Sequence, residues 1–145
     1  MSTNEALSLR DGHVSSYDPE THTARIVFKD HDDLVSNPFQ VIVPNTLKNK
    51  DESHLDVGEH VQCMTYGNGL ESGVVLGCVY DAKNPPEVKD PDVRVTTFED
   101  GTTLSVDRNK HIVEIKDHFG SVIRMADGYI DLMPAIKVRI TKGGK

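Results

Sequence analysis

Tryptophan is absent, aromatic residues make up only 6% of the chain, and cysteine occurs twice. No apolar run approaches the roughly 20 residues that span a bilayer as a helix. Each scarcity excludes something. Cys63 and Cys78 stand alone in the strand-like runs HVQCMTY and GVVLGCVY. They have neither the spacing of a zinc ribbon nor the density of a disulfide scaffold, and they read as small buried apolar side chains. The opening MSTNEALSLRDGHV lacks a basic n-region and an apolar h-region, so it does not read as a secretory leader. Synthesis in a cytoplasm is the expectation.

Positive charge is scarce where a nucleic-acid module would need it. Residues 1–80 carry 5 Lys and Arg against 12 Asp and Glu, while residues 81–145 balance at 11 against 11, so the net charge of −7 lies in the first half. Phosphate backbones are bound through Lys and Arg, which makes an acidic first half a poor partner for them. The final KVRITKGGK holds four basic residues and no acid.

Helical periodicity is also nearly missing. The one candidate, SNPFQVIVPNTLKN, contains two prolines that weaken it. What the sequence has is strands. DGHVSSYDPETHTARIVF reads as strand, turn and strand, with Asp18-Pro19 opening the turn and Ile26 and Phe28 alternating inward. FQVIV is a third strand closed by Pro44, and NTLKNKDESHLD is polar loop. VGEHVQCMTYGNGLESGVVLGCVYD reads as a hairpin, with Gly67, Asn68 and Gly69 at its tip. About five short antiparallel strands in this length suit a Greek-key barrel of the oligonucleotide/oligosaccharide-binding (OB) type, and the pattern alone also allows an SH3-like barrel.

DAKNPPEVKDPD then interrupts the pattern with three prolines and reads as linker. Beyond it VRVTTF, TTLSVD, HIVEIKD, SVIRM, YIDLM and IKVRI follow at short spacing, separated by DG, RNK, FG, ADG and MPA. The expected organisation is an arm over 1–10, a barrel over 11–80, a linker over 81–92 and a strand-rich segment over 93–145. The inward candidates of that last segment are Leu104, Val106, Ile112, Ile115, Ile130, Leu132, Ile136, Val138 and Ile140. Narrow alternating strands leave one face of a lone sheet wet and both edges open. The segment therefore needs a partner: either the first barrel or copies of itself.

Chemistry is harder to find. His54 and His60 are six apart and His111 and His118 seven apart, neither a usual chelating spacing, so no metal is expected within one chain. A threefold axis would be needed to gather copies of His111 or His118. Asp30, Asp32 and Asp33 around His31 lack the glycine and distal glutamate of a calcium loop and read as a solvated turn. No nucleophile motif or phosphate loop appears, which points away from an enzyme and from a cofactor.

Taken in order, DGHVSSYDPETHTARIVFKDHDDLVSNPFQVIVPNT, DVGEHVQCMTYGNGLESGVVLGCVYDAKNPP and FEDGTTLSVD resemble the baseplate-assembly protein V family, the central spikes of contractile-tailed phages and tailocins. The resemblance rests on Gly12-x-Val14, Arg25-x-Val27, Val57-Gly58-Glu59, Gly73 to Gly77, Tyr80, Asn84, Pro85 and Pro86, and the DGT with its following Ser105-Val106-Asp107. It implies an all-β chain, an N-terminal OB-fold barrel followed by a short intertwined trimeric β-helix, or β-prism. It implies a homotrimer seated by its barrels on a baseplate hub protein, made in the host cytoplasm, built into a virion or tailocin baseplate, and driven into the target cell envelope when the sheath contracts. Longer members end in a His-x-His iron tip, a motif this sequence lacks. The resemblance then implies either a blunt spike or a separate tip protein, toward which three basic tails would present about +12. The competing reading is an OB-fold binding module for oligonucleotide or oligosaccharide. Such modules stack bases on aromatics in a basic groove, and this sequence supplies few aromatics and an acidic first half.

Overall fold

The computed structural model describes residues 6–67 and 69–143. Asn68 of the expected hairpin tip, the first five residues of the expected arm and the end of the basic tail lie outside these. The described residues form two compact units that divide between Pro85 and Pro86.

The first unit is built from β1 (Leu7–Asp18), β2 (Thr23–Phe28), β3 (Leu34–Val35), β4 (Phe39–Val41), β5 (His60–Tyr66) and β6 (Gly73–Cys78), with one short 3-10 turn at Lys29–His31. The strand begins at Leu7, inside the stretch expected as an arm. The sheet runs β1-β5-β6-β4-β2-β3, and β1 also pairs with β2, which closes β1, β2, β4, β6 and β5 into a five-stranded barrel. The β4–β6 pairing is parallel and the other pairings are antiparallel. This arrangement is consistent with the expected OB-like barrel.

The barrel closes because the period-2 pattern places one row of side chains inward on each strand. Ala24, Ile26 and Phe28 on β2, Val61 and Cys63 on β5, with Val14, Phe39 and Val75, are all buried. Two buried hydroxyls carry their own bonds: Ser36 Oγ accepts from Ile26 N at 3.0 Å and donates to Asn37 O at 2.7 Å, and Thr65 Oγ1 accepts from Arg10 Nε at 3.1 Å. Gly12 and Gly73 are required by close approach. A Cβ on Gly12 would collide with Ile26, and one on Gly73 would press on Met64 O and on the Phe39 ring at 3.1 Å.

The second unit is a five-stranded antiparallel meander, β7 (Val93–Thr97), β8 (Thr103–Asp107), β9 (Ile112–Lys116), β10 (Val122–Ala126) and β11 (Tyr129–Met133). Aspartates make its turns: the Oδ1 atoms of Asp100, Asp107 and Asp117 accept the backbone N–H of Thr102, Lys110 and Ser121 at 2.9, 2.9 and 2.7 Å. The expected sixth strand, IKVRI, does not form, and residues 134–143 carry no ladder. The alternation is intact there, but a strand exists only against a neighbour, and the described residues provide none for it. No described residue of this unit is buried.

Candidate functional site

Cross-strand register decides which side chains of the second unit share a surface. Leu104 lies opposite Ile115, Ile115 opposite Ile123 and Ile123 opposite Leu132. One step along, Val106 lies opposite Val113, Val113 opposite Met125 and Met125 opposite Ile130. Because successive residues alternate faces, these two rows form one apolar face four strands wide. Its members are between 36% and 69% exposed. The other face mixes Ser105, Asp107, Glu114 and Arg124 with Val93, Val95, Ile112 and Val122, all half-buried, with Arg124 and Glu114 paired across β10 and β9 at 2.7 Å. The apolar face is thus the more open of the two. Most exposed apolar surface on a soluble chain is scattered, and a contiguous patch of this kind marks an interaction surface.

Of the sequence-derived candidates, Leu104, Val106, Ile115, Ile130 and Leu132 lie on this face. Ile112 is an odd number of residues from Ile115 and points to the opposite, mixed face with Glu114. Ile136, Val138 and Ile140 lie beyond β11, and Ile136 and Ile140 are more than 90% exposed. Val113, Ile123 and Met125 complete the face and were not among the candidates. Strict period-2 counting from Ile115 and from the SVIRM run would have found them.

A second cluster sits on the outer face of the barrel. Gly12 and Val14 point inward, so Asp11 and His13 point outward on β1; His60 and Gln62 do the same on β5, alternating with the inward Val61 and Cys63. The register sets His13 opposite His60 and Asp11 opposite Gln62. The His13 and His60 rings stack with centroids 4.7 Å apart and planes 13° apart. Past the end of β6 the ladder continues, with Val79 N donating to His60 O at 3.0 Å, and this brings Asp81 to the Nδ1 edge of the ring. His60 Nδ1 lies 3.1 Å from Asp81 Oδ2, and its Nε2 meets Asp11 Oδ1, which also accepts from Gln62 Nε2. The His60 and Asp81 side chains are only 18% and 24% exposed.

The electrostatics of the two rings diverge. The Asp11 hydrogen bond, above all, raises the His60 imidazole above its ordinary value, against the opposing effect of burial, and Asp81 adds to it. Burial foremost, then the neighbouring His60, lowers His13. Asp81 is held low chiefly by the Asn84 N–H, with Lys83 N–H also on its Oδ1, at 2.8 and 2.9 Å. His13, His60 and Asp81 each offer a ligand atom, and the three atoms lie within 4.8 Å of one another. Chain spacing could not reveal this set, because it is assembled from β1, β5 and the segment after β6. Asp11-x-His13 and His60-x-Gln62 read as outward polar pairs in the sequence, but nothing local says they are neighbours.

The other histidines do different things. Tyr17 Oη bonds both His22 and His54, the latter at 2.8 Å, beside a cavity of about 260 Å³. His118 Nδ1 donates to Asp100 O at 2.8 Å and braces a turn. His111 adopts φ 58° in the Asp107–His111 turn. Asp32 and Asp33, also in the left-handed region, shape the exposed turn after β2. No protein-family model and no curated protein matches the chain.

Proposed function

We propose that the chain is the central spike protein of a contractile tail baseplate, a homotrimer in which the second unit intertwines with two copies of itself as a β-prism. The observation that carries this reading is the apolar face Leu104–Ile115–Ile123–Leu132 and Val106–Val113–Met125–Ile130, which is open to water in the single chain. Three such faces turned toward a common axis bury their apolar stripes. The unpaired edges of β7 and β11, and the partnerless alternation of Ile136, Val138 and Ile140, find ladder partners in neighbouring chains. The order of motifs along residues 10–110 supports the assignment to the baseplate-assembly protein V type. The closed barrel supports the OB-fold half of that architecture.

The work of such a protein is mechanical. Strand edges closed between chains leave no free end to peel when the sheath contracts and drives the trimer into a cell envelope. The barrels, carrying the acidic charge of the chain, serve as the seat on the hub protein. Synthesis is in the host cytoplasm, followed by incorporation into the virion or tailocin. No catalytic step and no nucleic acid enters this reading.

Light scattering on a sizing column tests it directly. The expected native mass is three times the 16.0 kDa chain. A clean monomer would overturn the proposal and return the barrel to the reading of an OB-fold binding module.

A further inference from the structure

We propose that His13, His60 and Asp81 form a binding site for one divalent transition-metal ion on the outer face of the barrel, with Asp11 as the residue that orients His60. This does not depend on the spike reading.

The geometry around His60 carries the inference. Its Nε2 points at Asp11 Oδ1, so the neutral ring with its proton there leaves Nδ1 as a lone pair. That lone pair faces Asp81 Oδ2 at 3.1 Å. Two acceptor atoms at this separation need a positive species shared between them, either a proton or a metal ion. Metal–nitrogen and metal–oxygen bonds of about 2.0–2.2 Å at a tetrahedral angle put neighbouring donor atoms a little over 3 Å apart. The observed separation matches that spacing before any movement.

The remaining atoms supply the further donors that a metal ion needs. Asp81 uses Oδ1 for the backbone N–H groups of Lys83 and Asn84, which leaves Oδ2 available and aimed. His13 is the cross-strand partner of His60 and brings a third ligand atom within 4.8 Å of the other two; its ring, stacked on His60, has to turn about its side-chain torsions to aim that lone pair at the ion. A shared proton would use only the His60–Asp81 pair and leave the ligand atom of the stacked His13 ring unused. Asp11 holds the nonligating nitrogen of His60, the carboxylate–histidine–metal arrangement that fixes a ligand's tautomer and orientation. Two imidazoles and a carboxylate suit zinc, cobalt, nickel or copper rather than calcium or magnesium. Three protein ligands leave a fourth position to water, and a cleft of about 670 Å³ lined by His60, Asn84, Cys78 and Tyr80 opens beside the site. A bound ion would tie the chain leaving the barrel at Asp81 to β1 and β5.

The test uses the full tag-free chain, stripped with a chelator, and two probes: zinc followed by calorimetry and cobalt followed by visible absorption. One ion per chain is expected, with a cobalt spectrum of four or five coordination. His13→Ala and Asp81→Asn, both outward-facing, should each weaken zinc binding at least tenfold while circular dichroism stays unchanged. Asp11→Asn should weaken it by about 10–100-fold through the ligand it orients. His54→Ala should leave it unchanged. Absence of saturable binding, or equal binding by the His13 and Asp81 variants, overturns the site and leaves a proton between His60 and Asp81. Loss with His54→Ala alone would also overturn it. If His13→Ala does not fold, His13→Gln and Asp81→Asn together decide the same question.

Discussion

Ile115 on β9 and Ile123 on β10 stand directly opposite one another, and each is nearly half exposed, at 45% and 44%. Two large aliphatic side chains in register, in the middle of a sheet rather than at its rim, form the centre of a surface that needs covering. The expectations for this surface depend on which face each residue occupies.

Ile115→Asp places a charge at the centre of the apolar face, and in a trimer that charge is repeated on every chain in a dry interior, where an unpaired charge is very costly. The native mass should fall from three chains to one. Val113→Asp should act in the same way, whereas Ile112→Thr and Lys116→Ala, on the opposite face, should leave the mass at three chains. A normal trimer from Ile115→Asp would refute the placement of the axis.

Gly73→Ala adds a methyl group against Met64 O and the buried Phe39 ring. The backbone oxygen cannot swing aside as a flexible side chain would, so the barrel should lose about 1–3 kcal/mol, the usual cost of overpacking. Urea denaturation measures it. A loss below about 0.5 kcal/mol, the scatter of innocuous surface changes, would show that β5 and β6 separate easily at this point.

The two thiols should separate cleanly. Cys63 lies inside the barrel and burial pushes its thiol up to about 12, while Cys78 sits on the exposed side of β6 with its thiol raised by partial burial and by Glu59. The thiolate is the reactive form. A thiol reagent at pH 8 should label one group in the native protein, more slowly than a free thiol, and the second only on unfolding. Immediate labelling of both would mean that the barrel opens at that pH.

Asp100 gives a pH signature. The Thr102 N–H on its carboxylate, above all, holds it below the usual value of 3.8. A carboxyl depressed in the folded state contributes stability that is present above 3.8 and fades as pH falls through the depressed value. The Tm of Asp100→Ala should therefore lie below that of the natural chain by a constant margin from pH 5 to 8, and the margin should narrow below 3.8. A margin that stays constant through acid would assign the effect to backbone preference rather than to charge.

Much of the fold was legible in advance because its causes are local. The pairs Ile26 and Phe28, and Leu104 and Val106, alternate by two, and period-2 patterning identifies a strand without knowledge of its neighbours. Asp18-Pro19, Asp100-Gly101 and Asp127-Gly128 mark turns by chemistry contained in two residues. IKVRI shows the limit of that reasoning. Its alternation is as good as that of TLSVD, yet it forms no strand in the single chain, because a ladder needs a second chain segment and Ile136 to Ile140 meet none.

The candidate sites were less legible for the same physical reason. His54 and His60 are near in sequence but bind different partners, while His13 and His60, 47 positions apart, stack ring on ring. The sequence by itself determined that this chain is built of short strands and turns, that its first half is acidic, and that its second half has more apolar stripe than one sheet can hide. Only the tertiary structure decided that Ile115 faces Ile123 and Val113 faces Met125, and that His13, His60 and Asp81 converge. Strand formation is set by neighbours along the chain. Register is set by contacts between distant segments, and a slip of one residue would exchange every face.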